Sequence, residues 1–128
     1  MSSAFDMASY ILEFENRAQY LFATVRADSI DAAGTDSYLT EIAERATTDN
    51  ATKLLIFRDI PTAIDAGLMY HIVERFERAV RGKRVAFVNP YLTAESNLQF
   101  AMTVAANRGG DNKLFNNVAD AEAWLIGP

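Results

Sequence analysis

The sequence predicts an α/β fold: one mixed β-sheet with an N-terminal antiparallel hairpin, then parallel strands, with helices packed on it. Three observations predict it. Two near-continuous apolar runs, Lys53-Leu54-Leu55-Ile56-Phe57 and Val85-Ala86-Phe87-Val88, read as strands covered on both faces. Segments with apolar residues at helical spacing stand between the strands, so strand and helix alternate. The chain has 128 residues, half of them apolar and 23% charged, which suits one domain with a substantial core.

Residues 1–9 are expected to form a flexible N-terminus, and residues 10–128 a single domain. Residues 10–15 read as a short strand and Asn16-Arg17 as a turn. Residues 19–26 form a second strand, with Leu21, Ala23 and Val25 on one face and Tyr20, Phe22 and Thr24 on the other. The two pair as a hairpin at a sheet edge. Residues 28–36 form a loop rich in Asp, Ala and Gly, and Asp36 or Ser37 caps the helix that follows. Leu39, Ile42, Ala43 and Ala46 recur at helical spacing, Glu41 and Arg45 form an i,i+4 pair, and residues 47–50 end the helix.

After the strand at 53–57, Asp59-Ile60-Pro61 breaks the pattern. Pro61-Thr62 opens the next helix, where Thr62 and Asp65 have the spacing of a capping box. Met69, Ile72, Val73, Phe76 and Val80 form its buried stripe, and Gly82 stops it. Asn89-Pro90 closes the strand at 85–88. Thr93 caps a helix running to about Arg108, with Leu98, Ala101, Met102 and Ala105 inward, ended by Gly109-Gly110. Lys113-Leu114-Phe115 is a last short strand, and Asn117 caps a final helix carrying Val118, Ala121, Trp124 and Leu125. The order is β-β-α-β-α-β-α-β-α, joined by right-handed crossovers.

Composition narrows the function. Cysteine is absent, which excludes disulfides, cysteine-ligated metal centres and thiol nucleophiles. The net charge of −5 disfavours nucleic acid as a partner. Residues 1–9 lack the basic start and apolar middle of a secretory signal, and no run approaches the roughly 20 apolar residues of a membrane span. A cytoplasmic protein without integral membrane association is expected.

The unit Leu54-Leu55-Ile56-Phe57-Arg58-Asp59-Ile60-Pro61-Thr62-Ala63-Ile64-Asp65-Ala66-Gly67-Leu68 resembles the centre of a STAS domain. That family includes the bacterial anti-sigma factor antagonists and has an apolar strand followed by an Ile-Asp-Ser-Ser-Gly-Leu-like turn into a helix. The closing stretch from Phe115 to Leu125, with Ala121-Glu122-Ala123-Trp124-Leu125, resembles the ending of STAS-like proteins of unknown function. The resemblance implies a STAS-like fold and a regulatory or protein-interaction role. The pattern departs at one place. The serine whose phosphorylation switches the antagonists, directly after the aspartate, is Ala66 here, and one residue of the turn is missing. Alanine has no hydroxyl, so that switch is absent in its usual form. Thr62 is the nearest hydroxyl, and capping already accounts for it.

Asp59, Thr62, Asp65, Ala66, Gly67, Leu68, Asn89 and Tyr91 are the candidate residues for binding a partner or ligand. They cluster where two central strands end, the side of an α/β sheet on which ligands bind. Asp59 and Asp65 also have ordinary turn and cap roles, and Asn112, Asn116 and Asn117 could join the same site or serve as turn residues. His71, the single histidine, lies beside the stripe of the second helix with Glu74 as its nearest acidic neighbour. Arg75, Arg78, Arg81, Lys83 and Arg84 form a basic cluster partly offset by Glu74 and Glu77. Gly109-Gly110-Asp111 follows a helix and lacks the Gly-Lys-Ser/Thr signature of a phosphate loop. No nucleophile–base–orienter set and no metal-spaced cluster is visible, so neither catalysis nor a cofactor is expected. Two readings remain. One is an interaction module, docking an unidentified protein or a second copy as a homodimer. The other is a binder of a small apolar ligand or lipid, since STAS-like proteins also resemble the CRAL-TRIO fold.

Overall fold

The computed structural model describes residues 10–61, 66–91 and 111–127, without the side chains of 66–69. The strands are β1 (Ile11–Asn16), β2 (Leu21–Arg26), β3 (Lys53–Asp59), β4 (Arg84–Val88) and β5 (Asp111–Phe115). The helices are α1 (Ala32–Thr48), α2 (Ala66–Ala79) and α3 (Val118–Ile126). They build the expected mixed sheet, in the order β1-β2-β3-β4-β5. β1 and β2 are antiparallel, and every later pairing is parallel. The helix expected over residues 93–108, its cap Thr93 and the pair Gly109-Gly110 lie outside the described residues. So do the N-terminal residues 1–9, and the side chain of Met69.

The period-2 alternation of a strand assigns its side chains to two layers. Leu54 and Ile56 of β3, and Val85 and Phe87 of β4, face α1 and α2. With Leu21, Ala23 and Val25 of β2 and Ile42, Val73, Phe76 and Val80 of the helices, they form the larger core. Leu55, Ala86 and Val88 face the other way, where Ala121 and Leu125 of α3 cover them. The helices of the two crossovers, β2 to β3 and β3 to β4, share one face. Crossovers of one hand that step in one direction across a sheet must do so.

Several boundaries differ from those expected, each for a local reason. The helix α1 begins at Ala32 rather than after Asp36 or Ser37. Its cap is Asp31, whose carboxylate accepts a hydrogen bond from the Gly34 N–H at 2.7 Å. Ser37 instead lies inside the helix, 2.9 Å from the Tyr10 hydroxyl. Glu41 accepts a hydrogen bond from that same hydroxyl, and Arg45 pairs with Asp49 at 2.8 Å, so the expected Glu41–Arg45 pair is not the one that forms. The helix ends in a Schellman motif: Asn50 takes φ 55°, its N–H bonds Thr47 O, and the Ala51 N–H bonds Ala46 O. β3 runs two residues past Phe57, because Arg58 and Asp59 pair with Val25 and Arg26. β5 starts at Asp111, opposite Arg84, and β1 is shifted by one residue to Ile11–Asn16. Gln19 and Tyr20 belong to the hairpin turn, closed by the Arg17 N–H to Tyr20 O bond.

Two helix-end signals stand as read, and the capping box expected from Thr62 and Asp65 lies outside the described residues. Gly82, with φ 89°, follows α2, and Asn117 caps α3 by accepting from the Asp120 N–H at 2.8 Å.

Candidate functional site

The C-terminal ends of β2, β3 and β4 bring Arg26, Asp59 and Asn89 to one edge of the sheet. Parallel pairing does this automatically, since each strand exits on the same side. Asp59 is the hub. Its Oδ1 accepts a hydrogen bond from the Tyr91 hydroxyl at 2.6 Å, and its Oδ2 lies 3.5 Å from Arg26 Nε. Arg26 in turn pairs with Glu13 across the hairpin at 3.1 Å. The Asp59 carboxylate raises the Tyr91 hydroxyl above its ordinary pKa through the hydrogen bond, with burial adding to the rise. Asn89 is buried, and its Oδ1 accepts from the Tyr91 N–H at 2.9 Å, which fixes the turn that carries the tyrosine.

Beside this chain of contacts lies an open cleft of about 520 Å³, lined by Tyr10, Ile11, Arg26, Asp28, Asp59 and Tyr91, together with Ala27 and Pro61. It sits toward the hairpin, where the sheet changes from parallel to antiparallel. The parallel strands run β2-β3-β4-β5 without a reversal of direction. A crevice between helices of opposite faces opens in a doubly wound sheet where strand order reverses. The described strands make no such reversal.

Of the expected binding residues, Asp59, Asn89 and Tyr91 therefore meet. Ala66, Gly67 and Leu68 open the described part of α2. Thr62 and Asp65 lie outside the described residues. The asparagines divide. Asn112 sits at the opposite end of the sheet, where it donates to Glu77 at 2.7 Å, and Asn116 and Asn117 serve the start of α3. Glu77 is buried rather than solvated, and burial raises its carboxyl pKa against the lowering effects of Asn112 and Arg81. The basic cluster also disperses. Arg75 pairs with Asp36, Lys83 donates to Ala51 O, and Arg84 reaches Gly127 O and lies 4.0 Å from the Trp124 ring centre. His71 is exposed on α2, edge-on to Tyr70.

Sequence reasoning missed Arg58. It lies on the face of β3 under α1 and α2, 5% exposed, and donates to Ile60 O at 2.9 Å. Its charge and hydrogen bond oppose the rise in the Tyr38 pKa that complete burial causes. Alternation was the available signal: Leu54, Ile56 and Arg58 share a parity, so a longer strand puts the arginine under the helices. Among the described residues, no three His, Asp or Glu side chains gather closely enough to hold a metal ion, and no helix is long and apolar enough to cross a membrane. No protein-family model matches the chain. No curated protein matches it either.

Proposed function

We propose that the chain is a non-catalytic regulatory or protein-interaction module of the STAS-like type, lacking the usual phosphoacceptor serine. The observation that carries this reading is the mutual pairing of the polar groups at the sheet edge. Tyr91 binds Asp59, Asp59 lies against Arg26, and Arg26 binds Glu13. Paired charged groups at an exposed sheet edge make a polar surface, which suits recognition of a complementary partner. The start of α2, with Ala66, Gly67 and Leu68, adjoins this edge in sequence and is the proposed docking surface. A protein partner is the expected occupant, and the cytoplasm the expected compartment.

The apolar-ligand alternative draws less support. Among the described residues, the enclosed space under the helices, bounded by Tyr38, Arg58, Val73 and Phe87, is about 10 Å³. That is room for roughly one water molecule, far below a lipid tail.

Native mass spectrometry of the gently isolated protein, followed by titration of the identified partner, tests the reading. Gly67→Glu is expected to weaken binding about thirty-fold or more, the loss typical of a hot spot, with unchanged circular dichroism. Unchanged affinity would overturn the docking surface. A bound small molecule in place of a protein would favour the ligand-carrier alternative.

A further inference from the structure

β1 is the outermost strand of the sheet, and among the described residues no strand lies beyond it. One edge of β1 is paired with β2, so alternate N–H and C=O groups on its other edge face outward. The side chains alternate as well. Leu12 and Phe14 are half-buried against the larger core, with Arg45 over the Phe14 ring at 4.7 Å. Ile11, Glu13 and Glu15 project to the opposite face, where Ile11 is 61% exposed and the two glutamate side chains are 64% and 60% exposed. The helix on that face, α3, packs mainly on β3, β4 and β5 and meets the hairpin at its turn, where Glu122 accepts a hydrogen bond from the Tyr20 hydroxyl at 2.7 Å. The nearby cleft adds Asp28 and Asp59.

From these features we infer that β1 is a docking edge for an extended segment of a protein partner that alternates basic and apolar residues. Basic side chains would lie beside Glu13 and Glu15, and apolar ones would extend the row of Leu12 and Phe14. Strand addition supplies the main-chain hydrogen bonds, and the alternating neighbours supply specificity. Self-pairing of β1 about a two-fold axis fits less well. Opposed residues must share a face, so the registers with fullest overlap set Glu13 against Glu13, or Glu13 against Glu15 twice. Like charges directly opposite are destabilising. Arg26 and Arg17 offset the glutamates within the chain, yet the region keeps more acidic than basic groups and the whole chain carries −5.

Three capped hexapeptides test this: Lys-Val-Lys-Val-Lys-Val, Glu-Val-Glu-Val-Glu-Val and Lys-Val-Lys-Pro-Lys-Val. Each is titrated into the full-length protein while amide hydrogen exchange and chemical shifts are followed. The first peptide is expected to slow exchange at outward amides within residues 11–16 and to bind about tenfold more tightly than the other two. The proline peptide keeps the charge but removes a strand donor, so it separates strand addition from simple ionic attraction. The double substitution Glu13→Lys with Glu15→Lys, at exposed positions, should transfer the preference to the acidic peptide. Equal binding of the lysine and proline peptides, or protection that avoids residues 11–16, would overturn the inference. So would protection of these amides in a homodimer without peptide. Because the probe reads β1 and not the start of α2, its failure leaves the Gly67 surface to be judged by its own titration.

Discussion

At the residue scale, two titrating groups report their surroundings. Burial raises the pKa of Glu77, and Asn112 and Arg81 only partly counter it. The folded chain therefore holds this proton more tightly than the unfolded chain does. The stability it contributes is fully present below the ordinary value of 4.5 and is lost as pH rises through the raised folded value. Glu77→Gln keeps an acceptor for Asn112 and removes the charge. Its stability relative to the wild type, measured by urea unfolding, should rise across that window and reach a plateau at neutral pH. A difference that is flat with pH would show that Glu77 is not penalised on folding. Tyr91 gives the second reading. Its bond to Asp59 delays ionisation, so ultraviolet titration of Tyr91→Phe should lose a component that titrates above the ordinary tyrosine range. Asp59→Asn should bring that component back toward the ordinary range, because the neutral amide no longer repels the phenolate.

At the element scale, helix ends carry the sharpest expectations. Asp31 satisfies the Gly34 N–H, one of the donors that a helix start leaves open, so Asp31→Ala should cost about 1 kcal/mol. Urea unfolding of the variant gives the value. Gly82 takes φ 89°, and a Cβ there would meet nothing within 4 Å. The cost of Gly82→Ala is therefore backbone strain alone, about 1–2 kcal/mol. These ends also show what was legible in the sequence. Gly82 and Asn117 stand alone at the ends of strong apolar periodicities, and each has the role its chemistry implies. The cap expected at Asp36 or Ser37 falls instead at Asp31, within a weakly patterned stretch that also holds Asp28. What favours Asp31 is the bond from the Gly34 N–H, which propensity does not encode. Polar ends misled for the opposite reason. Arg58 and Asp59 look like a strand exit, but pairing with Val25 and Arg26 continues the ladder through them. The candidate site was half legible. Strand-end positions placed Asp59, Asn89 and Tyr91 together, whereas the long-range contacts of Arg26 with Glu13 and Asp59 depend on sheet register.

At the scale of the whole molecule, β3 and β4 serve two cores at once. Leu54, Ile56, Val85 and Phe87 fill the layer under α1 and α2, and Leu55, Ala86 and Val88 fill the layer under α3. Removing either layer exposes one side of the same two strands, so neither core is independent of the other. One cooperative transition is expected. The chain supplies a natural pair of probes. Trp124, its single tryptophan, lies on α3 against Phe115 and reports the smaller layer. Far-ultraviolet circular dichroism reports helix throughout the chain, and among the described residues α1 and α2 of the larger layer hold 17 and 14 residues against 9 in α3. The two urea curves should coincide. Leu125 is fully buried in the smaller layer, so Leu125→Ala should destabilise by about 2–5 kcal/mol and shift both curves together. A fluorescence curve that moves alone would mean that α3 leaves the sheet first. The shared strands would then transmit less between layers than their alternating side chains require.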